Sequence, residues 1–141
     1  MDYNASEYLT QEVQSADPAR LVELLFQRAL RDLRGAHELW PELAQSPAAI
    51  HLVVHAQCIL MELQRSLNFE AGGQVAAHLS RLYQFMQGQL VEATARQRGR
   101  ERQQVQDVIE ILAGLSDAWS EMSQQQQHSE KVPVSHANLV A

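Results

Sequence analysis

"VQDVIEILAGLSDAWSEM", residues 105–122, decides the fold. Val105, Val108, Leu112, Leu115, Trp119 and Met122 recur in alternating steps of three and four. That period puts all six on one face of a helix and scatters them over both faces of a strand. Such a stripe is the seam by which helices pack at shallow angles in a bundle. A helix from about Arg102 to Met122 therefore needs neighbours, and the rest of the chain has to supply them.

Upstream, three further helices are predicted. In "SADPARL" (15–21), Asp17 suits an N-cap and Pro18 a first helical position. Leu21, Leu24, Leu25, Ala29, Leu33 and Ala36 follow at helical spacing, and the helix must end before Pro41. A second cap-and-proline start at Ser46–Pro47 opens "AAIHLVVHAQCILMELQRSL" (48–67). Its apolar arc is wide: Ile50, Val53, Val54, Cys58 and Met61 on one side, Leu52, Ile59 and Leu63 on the other. A helix so patterned is touched from more than one direction. The third helix is predicted from about Gly73 to Ala95, with Val75, Leu79, Leu82, Met86, Leu90 and Ala93 on its stripe. Gly72–Gly73 reads as the tight turn between the second and third helices.

Short connections favour antiparallel neighbours, so the expected fold is all-α, an antiparallel up-and-down four-helix bundle. The bundle domain spans 17–122. Residues 1–16 form a polar N-terminal segment, and 123–141 a flexible, disordered polar tail of low periodicity.

Composition excludes several functions. The 141 residues carry a net charge of -6, the wrong sign for a nucleic-acid surface. No basic-then-apolar leader or apolar run of membrane length is present in the sequence, so a cytoplasmic protein with no membrane partner is expected. One cysteine, Cys58, makes no internal disulfide and reads as a buried structural thiol.

No catalytic constellation stands out in the sequence. A di-metal carboxylate bundle needs Glu-x-x-His steps, and no histidine has a glutamate three places before it. "HLVVH" (51–55) has the four-residue spacing of two zinc ligands, but Leu52 stands where a zincin has its glutamate. Surface histidines are the reading there. Arg96, Arg98, Arg100 and Arg102 read as a helix end and a solvated loop. Gly72–Gly73 lacks the Lys-Ser/Thr pair and the preceding strand of a phosphate loop. The expectation is a binding protein with no enzyme activity, no cofactor and no metal.

The residue pattern goes further than bundle physics. "ADPARLVELLFQRAL" (16–30), "SLNFEAGGQVAAHLSRLYQFM" (66–86) and "VIEILAGLSDAW" (108–119) together resemble the FliS family of flagellar secretion chaperones. Ser66, Leu67, Glu70, Gly72, Gly73, Leu82, Tyr83, Met86 and Trp119 fall on that family's pattern. Departures are Asn68 for Asp, His78 for Asn, Phe85 for Tyr, and Phe26-Gln27-Arg28 for Tyr-Asp-Gly.

The resemblance implies a chaperone that binds the disordered C-terminal segment of flagellin in the cytosol. It would block premature polymerisation and keep the client competent for type III export. It also leaves room for export-gate or regulatory partners. A helical adaptor for another secreted protein is the alternative. Coupled folding and binding of this kind buries on the order of 1,000–3,000 Å². The expected groove lies on the face of the second and third helices, with Leu63, Leu67, Leu79, Tyr83 and Met86 as anchors. Tyr83 is favoured because a phenol suits a partly exposed place. The resemblance gives the N-terminal segment a role as groove cap, through Tyr8, Leu9 and Val13.

Overall fold

The computed structural model describes residues 18–39, 46–95 and 99–128. Four helices fill them: α1 (Pro18–Glu38), α2 (Pro47–Arg65), α3 (Phe69–Ala95) and α4 (Glu101–His128). Expectations for residues 1–17, 40–45, 96–98 and 129–141, the N-terminal cap and Tyr8 among them, lie outside the described residues.

Local chemistry sets the helix ends. Ser46 is extended, its side-chain oxygen accepts from the Ala49 amide, and Pro47 takes the first helical position of α2. Asn68 starts α3 in the same way. Its side chain accepts from the Ala71 amide at 3.0 Å and its carbonyl from the Gly72 amide at 2.8 Å. Asp and Asn cap a helix almost equally well, so this departure from the family pattern is physically small.

Cross-helix bonds fix the directions. Asp32 of α1 meets His55 of α2, while Arg102 of α4 reaches His37 and Trp119 reaches Ala19. Between α2 and α3, Gln57 pairs with Gln87 and Gln64 with Ser80. In each doubly tied pair of helices one sequence number rises as the other falls, so the neighbours are antiparallel. Packing runs α1–α2–α3–α4 and closes from α4 back to α1. The fold is an up-and-down four-helix bundle.

Its core takes in most of the stripes, but Val75, expected on the third, is 57% exposed, and Phe26 and Leu60, on none of them, are buried. Phe26, Ala29, Leu33, Val53, Leu60, Leu63, Met86, Leu90, Val105, Val108 and Leu112 are buried together. Full burial of each large aliphatic side chain stabilises by about 1.5–3 kcal/mol. Phe26 stands edge-to-face on Trp119, ring centroids 6.1 Å apart. A phenylalanine in place of the family's tyrosine thus fills a place that is 1% exposed and asks for no hydroxyl partner.

After Ser66–Asn68 a short helical turn at 69–72 ends at Gly73, whose φ 56° and ψ -130° break the helix, a conformation that side chains with a Cβ resist. The long run of α3 thus starts at the glycine pair, where the sequence predicts it. Two expectations need correction. Cys58 is exposed, because it lies on the outer arc of α2 rather than the inner one. Finally, α4 runs six residues past its expected end at Met122, carrying the glutamine run 124–127 as helix. Glutamine is a good helix former, and the low-complexity appearance concealed that.

Candidate functional site

Polar contacts set the register of the α2/α3 seam. Gln87 donates to the Gln57 carbonyl at 2.8 Å, and Gln64 donates to the Ser80 hydroxyl at 2.5 Å. Gln84, one turn after Ser80, donates to the same hydroxyl at 3.3 Å. These bonds fix one helix along the other and give the seam a polar lining at its outer edge.

Two apolar arcs then run along α2. The inner one, Ala49, Val53, Ala56, Leu60 and Leu63, is core. The outer one is open: Val54 is 45% and Met61 52% exposed, with exposed Cys58 between them. These three sit at i, i+4 and i+7, one stripe on the solvent side. On α3, Phe85 and Val91 are likewise exposed. Val54 lies three residues before Gln57 and Val91 four after Gln87. The antiparallel register therefore brings Val54 and Val91 to the same level of the seam. An apolar strip of this sort, edged by amides, suits a helical or extended peptide laid along two helices. Methionine adds adaptability to it.

The residues expected as anchors have other positions. Leu63, Tyr83 and Met86 are at most 2% exposed and belong to the core, as does Leu79 at its edge. Leu67 is half-buried and packs against the core. Tyr83 was expected to be partly exposed; instead burial pushes its hydroxyl well above the ordinary tyrosine range. So α2 and α3 are where the open apolar surface lies, but the expected side chains face inward. The signal for Val54, Cys58 and Met61 was the wide apolar arc of α2, since a four-helix neighbour can cover only part of it.

Charges gather at the α1/α2 seam. Asp32 is buried; His55 Nδ1 lies 2.5 Å from one carboxylate oxygen and Arg28 Nε 3.6 Å from the other. Among the described residues no group of three or more His, Cys, Asp or Glu is arranged to hold a metal ion, and no helix is long and apolar enough to cross a membrane.

Residues 1–126 match the family described as Flagellar protein FliS. The chain belongs to the FliS family. It is 33% identical over 115 residues to the flagellar secretion chaperone FliSB of Pseudomonas aeruginosa, covering 79% of this chain and 86% of that one. With FliS of Vibrio cholerae it shares 27% over 130 residues, 92% of this chain and 85% of the relative. With FliS of Salmonella typhimurium it shares 31% over 117 residues, 79% and 80% of the two chains. The FliS resemblance drawn from the residues at 16–30, 66–86 and 108–119 is thereby borne out, and with it an export-chaperone role for the family.

Proposed function

We propose that this chain is a cytoplasmic export chaperone that holds the C-terminal segment of flagellin as helical pieces on the bundle until secretion. The observation that carries the proposal is the open apolar strip of Val54, Cys58, Met61 and Val91 on a member of the FliS family. An isolated segment in water lacks the tertiary contacts that stabilise helix, so the strip supplies the apolar face that the client lacks before assembly. Ordering the client subtracts several kcal/mol from the gross interaction, which leaves a complex that can release it. The chemistry is binding alone, with no enzyme activity.

Val54, Met61 and Val91 replace the buried side chains as the proposed primary contacts. Leu67, half-buried at the α2/α3 turn, stays beside them. Leu63, Leu79, Tyr83 and Met86 act from below, by holding the two helices at their spacing. Tyr8, Leu9 and Val13 cover the strip when no client is present. The test is seeded polymerisation of purified flagellin with one equivalent of the full chain. Elongation is suppressed, and flagellin lacking its C-terminal segment no longer binds. Undiminished elongation with no complex would overturn the assignment.

A further inference from the structure

His51 and His55 change meaning once Asp32 is in view. They lie four residues apart on α2, so their side chains stand next to each other, Cβ atoms roughly 5–6 Å apart. His51 is exposed, and the side chain of His55 is 38% exposed. His55 is also oriented: its Nδ1 lies 2.5 Å from Asp32 Oδ2, and that carboxylate is 2% exposed. With Nδ1–H donating to the carboxylate, the lone pair of the neutral ring is at Nε2, on the side of the ring away from Asp32. Arg28, 3.6 Å from the second oxygen, leaves Oδ2 to the histidine.

A buried carboxylate behind one nitrogen of a half-exposed imidazole is the arrangement that orients metal-binding histidines and raises their basicity. A second imidazole one turn away completes a bidentate pair. We propose that His51 and His55 form a binding site for a divalent transition-metal ion, with Asp32 as its positioning residue and water in the remaining coordination places. Imidazole ligation ranks the metals with Cu(II) above Ni(II) and Zn(II). The chain's net charge of -6 favours a cation. The site goes beyond the chaperone reading and does not depend on it.

Calorimetric titration of Zn(II) into the full chain at neutral pH tests this. One equivalent binds; His51→Ala abolishes binding, and Asp32→Asn weakens it about 10–100-fold. His78→Ala and Cys58→Ser leave it unchanged. Because Asp32→Asn removes a buried charge that His55 pairs with, a second readout on the unmodified chain stands beside it. Long-range proton–nitrogen NMR shows neutral His55 protonated on Nδ1, with its Nε2 signal shifting as metal is added. No stoichiometric binding, binding that survives His51→Ala or follows Cys58 or His78, or a His55 ring protonated on Nε2 would each overturn the site.

Discussion

Trp119 donates its indole N–H to the carbonyl of Ala19 at 2.9 Å, closing α4 onto the first turn of α1 across 100 residues of chain. The same ring packs edge-to-face on Phe26. One side chain thus carries a directional bond and a large apolar contact between α4 and α1. Trp119→Phe removes the bond and part of the ring but keeps an aromatic face for Phe26, and is expected to cost at least the roughly 0.5–1.5 kcal/mol of the bond. Trp119→Ala removes both and costs about 3–5 kcal/mol. Urea unfolding of the two variants measures the difference; equal losses would mean that the ring contributes little.

Gly73 and Gly88 separate backbone strain from helix propensity. Neither has an atom within 4 Å of an added Cβ, so sterics with neighbours are not at issue. Gly73 has φ 56° and Gly88 does not have a positive φ. Gly73→Ala should therefore destabilise by roughly 1–3 kcal/mol. Gly88→Ala, inside α3 and exposed, should stabilise by about 0.5–1 kcal/mol. Opposite signs in thermal unfolding are the expected outcome.

Core and strip residues on the same two helices should part company. Met86 is 0% exposed, and Met86→Ala is expected to lose about 2–5 kcal/mol of stability. Met61 is half in water, and Met61→Ala should stay within about 0.5 kcal/mol. If Met61→Ala unfolds the protein as readily as Met86→Ala, the outer arc is not a free surface.

Tyr83 predicts the alkaline limb of stability. Burial raises its hydroxyl above the ordinary value of 10.0, so the folded protein keeps the proton when the unfolded chain releases it. This contribution is fully present below pH 10 and is lost progressively as pH rises above it. Tyr83→Phe should flatten the decline above pH 10, relative to the unmodified chain. An unchanged slope in denaturation at pH 9 to 11 would assign the limb to other groups, as the ordinary value of 10.0 makes that window decisive.

The four helices were legible because the signals that make them are local: prolines at first turns, Ser46 as a cap, and stripes of three and four. The family was legible because its pattern residues are spaced along single helices. Which side chains were available to a client was not legible. Leu63 and Met61 are two residues apart on α2, both apolar, and only the position of α3 decides that one is core and the other strip. Asp32 gave no sign either, since a carboxylate on a charged helix looks solvated until His55 is brought against it. The glycine pair was legible as the break before the long run of α3, but the short helical turn at 69–72 ahead of it was not.

The proposed function places flagellin's C-terminal segment on the α2/α3 strip. Calorimetric titration of that segment as a peptide tests it, using the full chain and its Val54→Asp and Met61→Glu variants. Both positions are exposed, so the variants should fold as the unmodified chain does. One-to-one binding with a negative heat-capacity change is expected, weakened at least tenfold in each variant while stability is unchanged. Binding of undiminished affinity in both variants would contradict it.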